Sequence, residues 1–216
     1  MKTRKFAAAA LATVSLVSSG AAFASPLTVS SYDMANGNTG SYNYWDDSYS
    51  GSGSKTTDGA ALSGGKGDLT DGIKATDNWY VTEAPAGAGP YVGWLNVNPL
   101  IHFHFAGLVT VKGVSFNFDD AAGNGGVSSP LRVVVGGTTY DVIDPAGSAP
   151  FQFDLTGLNL NVSDLDITIT RGNSWVFVSE IAFDGSAGNN SVPEPGLLAL
   201  FGLGLAGLAF SKRKPS

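Results

Sequence analysis

The 216 residues predict an all-β fold, on three observations. Residues 26–191 contain no window of helical periodicity. Instead, short β-branched or aromatic runs are separated by Gly, Asn, Asp and Pro, the punctuation of strands and turns. Several runs also alternate. In Ile101, Phe103 and Phe105, and again in Leu165, Ile167 and Ile169, the apolar side chains fall on one face, as in strands with one buried and one wetter side. The runs at residues 27–32, 100–105, 110–118, 132–135, 140–143, 151–154, 165–170 and 174–183 predict an antiparallel, jelly-roll-like β-sandwich. A closed barrel is the competing architecture. A core of this size stands without disulfides, and the chain has no cysteine.

The two ends differ from the middle. Lys2, Arg4 and Lys5 precede an apolar, alanine-rich stretch from Phe6 to about Val17, and small residues lead to Ala22-Phe23-Ala24. This is the layout of a secretory signal peptide over residues 1–24, cleaved after Ala24 by signal peptidase. At the other end Pro193-Glu194-Pro195 is followed by fifteen uncharged residues, 196–210, and then by Lys212, Arg213 and Lys214. Fifteen helical residues reach roughly 22 Å, short of the ~30 Å hydrocarbon core, so a transmembrane helix here needs its flanks and local thinning. The basic cluster predicts a cytoplasmic end, with everything before it outside. Gly202, Gly204 and Gly207 reproduce a dinucleotide-binding spacing, but the strand, helix and acidic residue that spacing requires are missing.

Charge narrows the partners. Six of the twelve basic residues lie in those two ends, which leaves residues 25–191 with six basic against 17 acidic side chains. So acidic a middle repels phosphate backbones and excludes nucleic acid. Without cysteine there is no thiolate zinc site, iron–sulfur cluster or thiol nucleophile.

Residues 36–65 are rich in Gly, Ser and Tyr and long for a structureless loop. Tyr42, Tyr44, Trp45 and Tyr49 within them either pack onto the sandwich or form an exposed sugar-stacking patch.

Two resemblances attach to these residues. Pro193-Glu194-Pro195, the glycine-rich apolar segment and the closing Lys/Arg cluster, over residues 192–214, resemble the PEP-CTERM sorting signal of Gram-negative bacteria. That resemblance implies an exosortase partner. It also implies an inner-membrane-anchored precursor and delivery to the cell surface or an exopolysaccharide matrix. The second covers residues 65–185. Asp71-Gly72, Thr76 and Trp79, then Tyr91 to Trp94 leading into the run at 100–116, and finally Trp175 with Glu180 resemble the discoidin, or galactose-binding-like, jelly-roll. It implies a structural calcium ion held by Asp71, Thr76 and Glu180, with carbonyls near Leu69 and Lys74, a donor set of the hard oxygens calcium prefers. The alternative is that Asp71 and Thr76 only make turn hydrogen bonds. It also implies ligand binding on loops at one end, for which Trp45, Tyr49, Tyr80 and Tyr91 are the candidate aromatics. Trp79 and Trp94 are expected to plug the core.

Catalytic patterns are sparse. His102 and His104 share one face of a strand, where two metal ligands lack a visible third, and a plain polar face is the alternative. Asp46-Asp47 and Asp119-Asp120 are adjacent pairs, and neighbours on a strand point to opposite faces. The expectation is therefore an exported, non-catalytic carbohydrate-binding protein. A structural matrix protein and a polysaccharide hydrolase are the alternatives.

Overall fold

A computed structural model describes residues 25–83 and 89–188. The leader with Ala22 and Ala24, and the tail with Pro193, Glu194, Pro195, the 196–210 helix, Lys212, Arg213 and Lys214, lie outside the described residues. Nine strands form one hydrogen-bonded sheet: β1 (Ser25–Leu27), β2 (Val29–Ala35), β3 (Ala61–Gly65), β4 (Val92–Leu95), β5 (Leu100–Phe118), β6 (Arg132–Val135), β7 (Thr138–Asp141), β8 (Phe151–Thr170) and β9 (Trp175–Ala187). Every ladder between them is antiparallel. The one α-helix among the described residues is the single turn α1 (Trp79–Thr82).

The sheet folds over into two layers because its long strands bend. Val114 is the register partner of Phe183, and Phe103 precedes it by eleven positions on β5. Eleven extended residues span roughly 36 Å, yet the rings of Phe103 and Phe183 are 4.9 Å apart. The two halves of β5 therefore belong to opposite layers. The register shifts between His104 and Val109 and between Val111 and Gly113 mark the corner, as bulges do. One layer holds β3, β2, the first half of β5, the second half of β8, β6 and β7. The other holds β1, β9, the second half of β5 and the first half of β8, with β4 beside the start of β9. Among the described residues no ladder joins β7 to β1 or β3, so the sheet is an open sandwich and not a closed barrel.

The expected runs at 100–105 and 110–118 are thus one strand, and so are those at 151–154 and 165–170. The run at 27–32 divides into β1 and β2, and Ile143 lies beyond β7 with 86% of its surface exposed. β3 and β4 carry too few branched residues to stand out as strands. Between the layers lie Tyr32, Trp94, Phe103, Phe116, Phe118 and Ile167, all at or near zero exposure. Trp94 is the expected plug, and its Nε1 donates to the carbonyl of Ala35 at 2.8 Å. Gly93 beside it is required by a close approach, since a Cβ there would lie 1.7 Å from Phe177 Cε1.

Residues 36–60 are held against the sandwich by buried polar groups. Asn36 Oδ1 accepts from the amides of Gly37 and Asp46, both at 2.9 Å. The Asp46 carboxylate accepts from the Asp68 amide at 2.9 Å and from the Tyr32 hydroxyl. Tyr49 donates its hydroxyl to the Tyr32 carbonyl and accepts from Gly65 N at 2.9 Å. Tyr44 and Tyr49 are buried, and Tyr42 and Trp45 are half-buried, so this aromatic-rich segment packs onto the sandwich.

Candidate functional site

At the pole where β9 begins, three segments bring aromatic rings together. Trp175 and Phe177 come from β9, Tyr42 and Tyr44 from the loop after β2, and Trp79 and Tyr80 from α1. Tyr44 lies at the centre, its ring 4.6 Å from Phe177, 5.2 Å from Trp175 and 5.9 Å from Trp79. α1 is anchored by the end of β5. Asp119 accepts from the Trp79 amide at 2.8 Å and from Asn78 Nδ2 at 2.7 Å, the latter also reaching the Asp120 carbonyl at 3.0 Å. Burial pushes the Asp119 carboxyl up to about 6, against the pull of these two donors. Gly125, in the turn after β5, has φ +62°, and a Cβ there would lie 2.5 Å from Trp79 Cζ2. Only glycine admits that approach.

Tyr44, Trp79, Gly125, Val127, Trp175 and Phe177 bound a cavity of about 220 Å³ with no charged side chain in its wall. Trp79 is buried, with 8% exposure, and its indole N–H has no acceptor among the described residues. A buried donor left unpaired costs about 1–3 kcal/mol. Nearby charge is negative: burial, and secondarily Glu83, raise the Tyr44 hydroxyl to about 12. Within the cavity wall Trp79 and Trp175, each 8% exposed, keep more accessible surface than Tyr44 and Phe177, at 2% and 1%, and an aromatic, uncharged wall suits an apolar sugar face.

The aromatics expected from the sequence divide. Tyr80 is 39% exposed at the rim, edge-on to Trp79 with centroids 5.6 Å apart. Trp45 lies off the cavity, its Nε1 donating to Asp58 Oδ1 at 2.7 Å, the same atom that accepts from Thr39 N and Oγ1. Tyr49 and Tyr91 are corrected: at 2% and 0% exposure they offer no face to a ligand. The Tyr91 hydroxyl donates to the Asp77 carbonyl at 3.0 Å, and its ring lies 5.9 Å from Phe177. Trp79 is buried as expected, yet one edge lines the cavity. Tyr44 was one of the loop aromatics expected either to pack or to form a sugar-stacking patch, and Trp175 was not singled out as a ligand residue. The signal available was their type: an aromatic opening a strand just after the Gly172–Asn173 turn, and a tyrosine in the Gly/Ser-rich loop.

Around the Asp71–Gly72 turn the structure brings two of the three expected calcium ligands together. Glu180 Oε2 accepts from Gly72 N at 2.9 Å, and Asp71 Oδ1 accepts from Ile73 N at 2.8 Å. Burial, with the neighbouring Asp71 charge, raises the Glu180 carboxyl to about 7. A hard cation would relieve that pair. Thr76 Oγ1 donates instead to Asp77 Oδ2 at 3.1 Å. No cluster of three or more His, Asp or Glu side chains with metal-holding geometry occurs among the described residues.

The histidines face carboxylates on an outer sheet face. His102 Nδ1 is 2.7 Å from Asp166, and His104 lies between Asp164 at 2.6 Å and Asp33 at 3.4 Å. The Asp164 bond, then Asp33, raises the His104 pKa. Both ring nitrogens of His104 thus point at different acids, the arrangement of an imidazolium bridging β2 and β8. The acidic pairs are structural as well: Asp120 Oδ1 accepts from Ala122 N at 3.0 Å and Ser129 N at 3.3 Å, and Asp46 is wholly buried.

Comparison with known proteins adds the following. No curated protein matches the chain. Its backbone is similar to the CBM32 of AlyQ in complex with 4,5-unsaturated mannuronic acid, at 11% identity and TM-score 0.42, over 74% of this chain and 97% of that one. A truncated AlyQ with CBM32 and alginate lyase domains matches at 12% and 0.43, over 76% of this chain but 34% of that one. A chain from the Streptococcus pneumoniae β-galactosidase BgaA matches at 13% and 0.40, over 76% and 93%. Residues 191–214 match the PEP-CTERM protein-sorting motif. That motif marks an exported, surface-targeted protein processed by an exosortase.

Proposed function

We propose that the protein is a non-catalytic carbohydrate-binding module, exported from a Gram-negative bacterium to its surface or exopolysaccharide matrix. Signal peptidase removes residues 1–24, and the 196–210 segment holds an inner-membrane precursor until the exosortase acts. The observation that supports binding is the uncharged aromatic cavity lined by Trp79, whose buried N–H has no acceptor among the described residues. Its about 220 Å³ falls below the ~300–1,000 Å³ of drug-sized pockets, a volume suited to one sugar ring. Ring faces of Trp79 and Trp175 meet sugar C–H groups, and Trp79 Nε1 donates to a hydroxyl or amide oxygen. The surrounding carboxylates disfavour uronates and favour neutral sugars. Affinity per site is modest, and many copies on a matrix supply avidity. Asp46, Asp119 and Asp120 are committed to backbone amides and to Asn78 and Tyr32, which supports a non-catalytic role.

Trp79→Phe tests this reading, since it removes the N–H and keeps a ring. Retention on an immobilised neutral polysaccharide is expected to weaken about three- to tenfold, the worth of one hydrogen bond, with the fold intact by circular dichroism. Failure of the unmodified protein to be retained on any polysaccharide leaves the structural-matrix reading.

We further propose that calcium sits between Asp71 and Glu180, with Thr76 reoriented from Asp77 to join them. Added chelator is expected to lower the melting temperature at pH 8. An unchanged melting temperature overturns the calcium site, because a ligand bound only to the native state must stabilise it.

A further inference from the structure

The two ends of the described chain leave the sandwich at one pole. Ser25 pairs with Gly185, and Gly188 N donates to the Leu108 carbonyl at 2.7 Å. Between them runs a groove of about 540 Å³, bordered by Pro26, Leu27, Ala106, Leu108, Ala187 and Gly188. No side chain lining it is charged, although residues 25–191 carry 17 acidic and six basic side chains. Leu108, at the corner of β5, is 53% exposed beside it.

This pole lies far from the aromatic cavity. β9 runs 13 residues from Trp175 in the cavity wall to Ala187 at the groove, roughly 40 Å along an extended strand. The residues that match the sorting motif begin at 191, three beyond Gly188. The apolar segment that would enter the bilayer begins at residue 196, eight residues beyond Gly188 and at most about 28 Å away, which is less than the length of β9, so this pole is the one nearest the surface that holds it. Carboxylates there would be desolvated on approach and repelled by anionic lipid, whereas an uncharged, partly apolar face meets neither penalty.

We propose that the Leu27–Leu108–Ala187 pole is a membrane-facing docking surface, occupied by the bilayer that holds the chain's own tail, so that the Trp79–Trp175 cavity points outward. The proposal rests on the sorting-tail reading above and adds to it an orientation and a contact face. The leader, which precedes Ser25 directly, emerges on the same side.

The chain has no cysteine, so single-cysteine variants accept one label each. Full-length Leu108→Cys and Tyr80→Cys proteins, both changed at exposed positions, are labelled with an environment-sensitive fluorophore. They are then reconstituted in vesicles of phosphatidylcholine and phosphatidylglycerol in equal parts. The expected result is several-fold protection of the Leu108→Cys label from aqueous acrylamide relative to the Tyr80→Cys label, with quenching of the former alone by lipid-borne nitroxide. Equal quenching of the two labels, or protection at position 80, overturns the orientation while leaving the anchored tail in place. A chain that fails to sediment with the vesicles overturns the anchoring reading and this proposal together.

Discussion

Replacing Asp46 by alanine is expected to destabilise the protein by about 2–5 kcal/mol in urea titrations at pH 7. The carboxylate is wholly buried and accepts from the Asp68 amide and the Tyr32 hydroxyl, and Tyr32 is itself fully enclosed. Alanine leaves both donors in the core without an acceptor. Relief of repulsion from Asp47 and Asp71 offsets part of that loss, since both raise the Asp46 pKa. Asp46→Asn is expected to cost less than alanine. Its amide retains one acceptor oxygen but presents an N–H₂ to the second donor. Loss of stability in both variants identifies Asp46 as the residue that clamps the loop between β2 and β3. Unchanged stability in both overturns that assignment.

Stability is expected to fall as pH rises from about 4 to about 8. Four buried carboxyls away from the proposed calcium position carry raised values, in each case through burial first: Asp46 and Asp119 at about 6, and Asp68 and Glu83 at about 7. Through that window the native state holds protons that the unfolded chain has already released. The slope of unfolding free energy with pH is therefore negative. The stabilisation is complete below the unfolded values near 4 and is lost as pH passes 6 and then 7. His104 adds a loss of the same sign, because its raised pKa favours the charged form in the native state. One unit on one group is about 1.4 kcal/mol, and each kcal/mol moves the melting temperature of a domain this size by about 2–4 °C. A melting temperature lower by at least several degrees at pH 8 than at pH 5 is the expected reading. Glu83→Gln should flatten the curve, and a melting temperature that rises through the window overturns the assignment.

The alternation at Ile101–Phe105 and Leu165–Ile169 was readable because each pattern needs only neighbouring residues and a buried face. The join between residues 105 and 110 was not, because Ala106, Gly107 and Leu108 interrupt the pattern at the place where β5 crosses between layers. β3 and β4 depend on partners 26 to 33 residues away in the chain for β3 and 80 to 86 for β4. Of the candidate site, Tyr80 and Trp79 were named from the sequence, and Trp175 entered only through a resemblance in the closing strand. Tyr49 and Tyr91 looked equally eligible because an aromatic side chain serves a core and a sugar face equally well, and local sequence carries no exposure.

The amino-acid order by itself determined the all-β class, the acidic middle free of cysteine, and the sorting motif at residues 191–214. These follow from composition and short-range spacing, which folding does not alter. Tertiary structure alone decided which rings enclose the cavity, that the Trp79 N–H has no acceptor among the described residues, and that Asp46 is buried against the Tyr32 hydroxyl and the Asp68 amide. It also decided that both chain ends share an uncharged pole. Each of these depends on long-range pairing that sets burial, and burial determines whether a given ring or carboxyl meets solvent, a ligand or the core.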